Sequence, residues 1–504
     1  MADKGSIQKW QLREIVRRGF ARKSVGLQAE EIAKIVLADT LVEKRRSIKK
    51  KSQGGGADAK HNAAIGRFAN DRARTLKKSL TDNRRRIVDQ SMLMRDRTPS
   101  PILDGLDPDR PVHWKRLLAR RYKSDYTRLS LKYLNFLDHP LETISELQEL
   151  SRIEGSEVNA YIDFDDTYCH DIGAFLVISE IWPQLSNIFR GGRMGRPVQK
   201  VLDAVGLGRD LNITLNGVRD HTNIWPFEIR RRRTRGTTTS ATAQLQPQGR
   251  EQLNDKLIEL IDQWLAVASE NTEGVPDDVE WVLTGEGKSN IANMVGEILD
   301  NAERHSSPGG DGDWTMAAFM AKREEDGRPP AMKCYLSFLS VGTSIAETIQ
   351  GAPERMREFC NNYAARHSRS GTSYETLLTI AALQDGITSA RDAALNKRGG
   401  TGLQDTLDFI GELGGAPRTE ADVRVTIISG KSCIRLRHPI LVGRPDAKGR
   451  RVQWCNAVND PLYPPNSDIA FDLPAHFSGT LVGVAFTLDP SIFVPEGDDG
   501  HGND

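Results

Sequence analysis

Between Asn293 and Ser306 the chain carries Val295, Ile298, Leu299 and Ala302 at helical spacing, with Glu297 and Asn301 four residues apart among them. Side chains at i and i+4 stand on one face of an α-helix. The segment therefore predicts a helix that is anchored in a core by its apolar residues while a carboxylate and an amide point the same way. An amide oxygen is a hard, neutral ligand for Mg²⁺. A carboxylate beside it can orient or deprotonate a water near a phosphate. The competing reading of the same residues is a plain amphipathic surface helix.

The surroundings alternate in period. Glu251 to Ala268 places Leu253, Leu257, Leu260, Ile261, Trp264 and Leu265 at helical spacing, and Asn290 to His305 gives a second helix. Lys333 to Leu339, Val423 to Ile428 and Leu481 to Leu488 are apolar runs of strand length. Alternating helices and strands predict a layered α/β fold over residues 249–490. Residues 106–229 also read as mixed α/β. His113 to Leu137 is a basic amphipathic helix candidate, Val158 to Phe164 alternates as a strand does, and Ile172 to Phe189 and Val198 to Val205 have helical spacing. The dense Arg230 to Arg235 run and the Thr/Ser/Gln-rich stretch to Gln248 predict a linker over 230–248. The Gly/Asp-rich end, 491–504, is expected to be disordered.

The formal net charge of +1 hides an asymmetry, because the first hundred residues hold 25 Lys/Arg against 11 Asp/Glu. Residues 1–105 read as a basic, partly flexible helical arm, with helix candidates at Leu27 to Val42 and Arg67 to Met94 around the Gly54-Gly55-Gly56 break. Such an arm can bind nucleic acid or dock on an acidic partner, or it can simply be solvated. No apolar run approaches the ~20 residues of a membrane span. Met1 to Phe20 lacks the apolar core of a secretory signal. The five cysteines, Cys169, Cys334, Cys360, Cys433 and Cys455, are far apart with no C-x-x-C, so neither a disulfide framework nor a zinc site is expected. A cytoplasmic location fits that usage.

The run Glu297-Ile-Leu-Asp300-Asn301-Ala-Glu-Arg304-His305-Ser306 resembles the N box of the GHKL superfamily, which comprises DNA gyrase B, mismatch-repair ATPases, heat-shock chaperone ATPases and histidine kinases. Two further segments follow in the family's order. Arg398-Gly399-Gly400-Thr401-Gly402-Leu403 resembles the second glycine box, where backbone N–H groups can approach phosphates before a helix begins. Phe477-Ser-Gly479-Thr480-Leu481 resembles the closing Gly-Thr strand. The resemblance implies an α/β sandwich that binds ATP and Mg²⁺. In it Asn301 would hold the metal, Glu297 would act as the general base, and Lys397 or Arg398 would steady the γ-phosphate. Gly399, Gly400, Gly402 and Leu403 would line the phosphates, and Thr480 would lie under the base. The segment from Ile345 to Arg398 would close as a lid.

The first glycine box departs from the family. Its Asp-x-Gly-x-Gly is represented by Ser340-Val341-Gly342-Thr343-Ser344, so Gly342 is kept and Ser340 stands where the family has its adenine-reading Asp. A neutral hydroxyl accepts a hydrogen bond less strongly than a carboxylate, which puts base selectivity in question. Arg437 to Asp472 reads as an inserted hairpin or loop. Gly285-Glu286-Gly287-Lys288-Ser289 is not a P-loop, because Val282 occupies the position of its first glycine. A conventional sensor kinase would carry a phosphoacceptor histidine just before the ATP-binding domain, and Glu251 to Ala268 has none.

Within 106–229, Tyr161-Ile-Asp163-Phe-Asp165-Asp166-Thr167-Tyr-Cys169-His170-Asp171-Ile172-Gly173-Ala174 resembles the core of a STAS domain, as does Val201 to Leu207. Those regulators carry a phosphorylatable Ser or Thr beside an Asp-x-Gly loop; here Ile172 stands between Asp171 and Gly173, with Thr167 nearby. A metal or nucleophile role for these acids and Cys169 is the alternative, but the adjacent Cys169 and His170 would point to opposite faces of a strand. The expected function is ATP binding with slow Mg²⁺-dependent hydrolysis driving a regulatory conformational switch, toward a protein partner or within a homodimer. The alternatives are a non-hydrolysing regulatory scaffold, a nucleic-acid-binding protein acting through residues 1–100, and a protein kinase of the histidine kinase-like type.

Overall fold

A computed structural model describes residues 22–24, 90–96, 100–110, 113–119, 127–156, 160–186, 188–211, 221–232, 250–270, 281–306, 312–323, 331–387, 402–413, 423–438, 440–441, 443–447, 449–487 and 494–495. The Leu27 to Val42 helix lies outside them, as does the tail expected to be disordered over 491–504 except for Val494 and Pro495, which form a strand.

Strands β1 (Arg22–Ser24) and β2 (Gln90–Asp96) come first, followed by helix α1 (Pro101–Leu106). α1 starts on Ser100, whose Oγ accepts Leu103 N–H, with Pro101 at the first helical position, where a missing N–H costs nothing. Its Ile102, Leu103 and Leu106 are fully buried, so the expected arm ends before Pro101. β3 (His113–Ala119) pairs antiparallel with β2 from Asp96↔His113 to Gln90↔Ala119. Two expectations are thereby corrected: residues 90–94 are strand, not helix, and His113 to Leu137 is not a helix. Pairing along all seven residues of β2 satisfies the backbone of 113–119, an advantage that the spacing of Trp114, Leu117 and Leu118 does not register.

β4 (Thr127–Leu131), α2 (Pro140–Ser156) and β5 (Ala160–Phe164) make a parallel βαβ unit, register Leu129↔Ile162. Parallel bridges Ala160↔Phe189 and Phe164↔Met194 extend it beyond α3 (Gly173–Leu185). α3 is buried nearly all round, which its sequence explains: every residue from Gly173 to Ser179 is apolar or small. It packs against α2 and against the back of the large sheet. α4 (Arg196–Ala204) and α5 (Leu207–Asp210) complete this part.

The large sheet is antiparallel throughout, in the order β10 (Val423–Arg437), β13 (Ala470–Thr487), β9 (Ala331–Val341), β8 (Trp314–Arg323), β6 (Ile224–Arg232). Its edge strand β6 (Ile224–Arg232) pairs with β8, Arg232 standing opposite Trp314. Arg230 to Arg232, expected at the start of a linker, are therefore strand residues. Their stems lie along the sheet, and Arg231 is paired with Asp210. α6 (Arg250–Glu270), β7 (Trp281–Val282) and α7 (Gly285–His305) follow. Thr284 caps α7 by accepting Gly287 N–H at 3.0 Å. β8 (Trp314–Arg323) and β9 (Ala331–Val341) form a hairpin, and α8 (Ile345–Gln350), α9 (Glu354–Arg366), α10 (Tyr374–Ala382) and α11 (Gly402–Leu413) precede β10 (Val423–Arg437). The short hairpin β11 (Arg444–Pro445) and β12 (Arg451–Val452) fills the expected insertion, β13 (Ala470–Thr487) takes the sheet's second position, and β14 (Val494–Pro495) pairs with β7.

Both faces of this sheet are covered. On one, α6, α7, α8, α9, α10 and α11 bury Trp264, Val295, Leu299, Leu377 and Ile410 against Phe338, Val425 and Val484. On the other, α1, α2 and α3 bury Phe136, Phe175 and Ile178 against Phe319, Leu339 and Phe477. Each fully buried Leu or Phe contributes about 1.5–3 kcal/mol of transfer free energy, and the buried apolar residues between Ile102 and Leu211 share one core with the back of the sheet. Asp171, 1% exposed, ties the two together: its carboxylate accepts Phe136 N–H at 2.8 Å, Gly173 N–H at 2.7 Å and Ser337 Oγ–H of β9 at 3.4 Å.

Candidate functional site

α7 has its apolar face down and the polar pair half-buried beside α11. Ile291, Met294, Val295 and Leu299 are in the core, as the helical spacing requires. Asn301 Nδ2 donates to Glu297 Oε1 at 3.3 Å, while no described residue bonds the Asn301 amide oxygen. The Glu297 carboxyl is held above the usual range. Burial is the main cause, and the charges of Asp300 and Asp405 add to it against Arg304 and the Asn301 hydrogen bond. Asp405 belongs to α11, so the pair faces the helix that follows the glycine run. Gly402 and Leu403 open that helix. Lys397, Arg398, Gly399 and Gly400 lie outside the described residues.

The C-terminal end of α7 abuts the β9–α8 turn. Thr343 N–H donates to Ser306 O at 3.2 Å. Gly342 has φ +141°, and a Cβ there would stand 1.8 Å from Ser306 O. The glycine retained in the first glycine box is thus required by backbone approach. Ser344 is the N-cap of α8, in a capping box with Glu347, which accounts for serine at that position. Gly479, with φ +134°, would place a Cβ 2.1 Å from Ser340 O, so the Gly of Gly479-Thr480 serves the contact between β13 and β9.

The strand registers then lay a polar row across the face covered by α6 to α11. Ser429 pairs with Thr480, Thr480 with Ser340, Ser340 with Trp314, and Trp314 with Arg232. Ser429 Oγ and Thr480 Oγ1 are 2.8 Å apart, and Ser340 Oγ–H donates to Thr480 O at 3.4 Å. At the other end Glu303 of α7 accepts Trp314 Nε1–H at 3.0 Å and pairs with Arg232 at 2.8 Å. Sequence reasoning did not find Ser429, Glu303, Trp314 or Arg232. Only the strand register, which depends on long-range pairing, sets them beside Ser340 and Thr480.

The expected lid is largely fixed. Cys360, Tyr363, Ala364, Leu377, Leu378, Ile380 and Ala381 of α9 and α10 are in the core, so residues 354–382 are packed helices and not a closing segment. The rest of the 345–398 span, from 388 on, lies outside the described residues. In the βαβ unit, Asp163 is paired with Arg128 at 2.6 Å and Arg193 at 3.2 Å. Thr167 and His170 are exposed whereas Cys169 is buried, so Cys169 and His170 face different surroundings. All five cysteines are buried and unpaired. Among the described residues no group of three or more His, Cys, Asp or Glu could hold a metal, and no helix is long and apolar enough to cross a membrane.

Comparison with protein-family models, with curated proteins and with solved structures finds no match to this chain.

Proposed function

We propose that the chain binds a magnesium–nucleoside triphosphate, with ATP as the expected nucleotide, against α7 and α11, and hydrolyses it slowly as a conformational switch. The observation that carries this reading is the Glu297–Asn301 pair. It is half-buried and faces α11, with one amide oxygen that no described residue bonds. A neutral amide oxygen fits Mg²⁺, which keeps most of its ligands as water and phosphate and needs few from protein. The lack of a multi-carboxylate cluster among the described residues is compatible with such a site. Bound Mg²⁺ would neutralise phosphate charge. Glu297, whose carboxyl burial holds above the usual carboxylate range, would orient the attacking water and take its proton. Ser340 and Thr480 offer hydroxyls to the base in place of a carboxylate.

A regulatory role for the switch is supported by the two-faced sheet, because α7 packs on β8 and β9, its Glu303 pairs with Arg232 of β6, and α3 packs on the opposite face of the same sheet. Glu297→Ala tests the division of labour. Nucleotide binding by calorimetry is expected to persist while phosphate release falls 10²-fold or more. A wild-type chain that binds no nucleotide would instead leave the regulatory scaffold reading, which Ser340 in place of an acid favours.

A further inference from the structure

The insertion between β10 and β13 has no part in the nucleotide reading, yet with α9 it walls a groove of about 630 Å³. We infer that this groove is a second ligand site, for a small organic anion with a planar apolar body. The volume is that of small-molecule sites.

Three observations support this. First, the floor is aromatic: Trp454 lies with its ring centroid 4.7 Å from that of Tyr363 and 6.1 Å from that of Phe359. Second, the cations outnumber the acids. Arg366, Arg444 and Arg450 line the groove against Asp446 and Asp460. Arg450 is taken by Asp446 at 2.7 Å. Arg366 donates only to Pro461 O, at 3.4 Å, and Arg444 has no acidic partner among the described residues. Both are exposed, and a guanidinium's planar fork suits a carboxylate, sulfonate or phosphate.

Third, the wall is pre-shaped. Cys455 and Asn459 hold φ of 57° and 52°, the left-handed region that non-glycine residues rarely enter. Asn459 fixes the turn by accepting Trp454 N–H at 2.7 Å and donating to Val452 O at 2.7 Å, and Asn456 Nδ2 donates to Asp460 O at 3.0 Å. Backbone strain held by side-chain amides on a ligand-sized concavity is what a pre-organised site requires. On the same insertion Val458, which lines the groove, is 60% exposed and adds apolar surface to its wall.

Calorimetry on the full chain tests the site with 1-anilinonaphthalene-8-sulfonate, a planar anion, and N-phenyl-1-naphthylamine, its uncharged counterpart. The anion is expected to bind at one site at least tenfold more tightly than the neutral analogue. Arg366→Gln with Arg444→Gln, both exposed positions, should remove that advantage and leave the weak neutral binding unchanged. Saturating Mg–ATP should not displace the anion. Equal affinity for the two probes, no effect of the double substitution, or displacement by ATP would each overturn the assignment.

Discussion

Asp171 and Ser337 meet across the join between the βαβ unit and the large sheet, hydroxyl to carboxylate at 3.4 Å, in a place where the carboxylate is almost wholly excluded from water. Burial pushes the Asp171 carboxyl up, against hydrogen bonds from Phe136, Gly173 and Ala174 N–H and from Ser337. Asp171→Ala strands those N–H groups in the core, and each unsatisfied buried donor costs about 1–3 kcal/mol. The expected outcome is a lowered urea midpoint with loss of single-step unfolding. A single cooperative transition with an unshifted midpoint would refute this role.

Gly342 and Gly371 make a matched test of backbone approach. Both have positive φ, but a Cβ at Gly342 would stand 1.8 Å from Ser306 O whereas one at Gly371 meets nothing within 4 Å. Gly371→Ala should cost about 1–2 kcal/mol from the left-handed conformation alone. Gly342→Ala should cost about 2–4 kcal/mol, because the end of α7 must also move. Urea midpoints of the two variants check the order.

Asp166 carries a pH signature. Burial, followed by the charges of Glu146, Asp165 and Asp171, raises its carboxyl from 3.8 to about 6, although Leu134 N–H opposes the shift. The folded state therefore holds the proton more tightly than the unfolded chain, and this group's contribution to stability falls as pH rises through that window. Asp166→Asn should raise the melting temperature above about pH 6, with the gain vanishing below about pH 4. Melting scans from pH 4 to 8 check it, and a pH-independent difference would count against the buried-acid account.

Glu297 obeys the same sign. Its pKa is raised, first by burial, so ionising it costs stability at neutral pH. Glu297→Gln should melt higher than the parent at pH 7.5 and equally at pH 4, the stability cost expected of a residue kept for chemistry. An unchanged or lower melting temperature at pH 7.5 would argue that the carboxylate is structural.

The parts of this fold that were legible in the sequence are those with one buried face. In α6 and α7 the residues Leu253, Leu257, Ile261, Val295 and Leu299 are buried as their period demands. β5 alternates, with Ile162 inside and Tyr161 outside. β8 was missed because Trp314 to Ala321 are all buried: a strand covered on both faces shows no alternation, and its Ala and Met content suits a helix equally well. β10 runs far past its expected end and β13 starts far before its expected beginning because the Gly430 bulge lets the pairing resume from Ser432↔Asp472. At the site, the local pair Glu297–Asn301 was readable from i,i+4 spacing. The Ser429–Thr480–Ser340–Trp314 row was not, since strand register is set by contacts between distant segments, Thr480 lying 51 residues from Ser429 and 140 from Ser340.

Calorimetric titration of ATP with and without Mg²⁺, on the full chain and on Asn301→Ala, tests the central proposal most directly. The wild-type chain should bind at least tenfold more tightly with the metal, and Asn301→Ala, which removes the proposed oxygen ligand, should bind equally in its presence and absence. Undiminished Mg²⁺ dependence in Asn301→Ala would contradict the assignment of that amide to the metal.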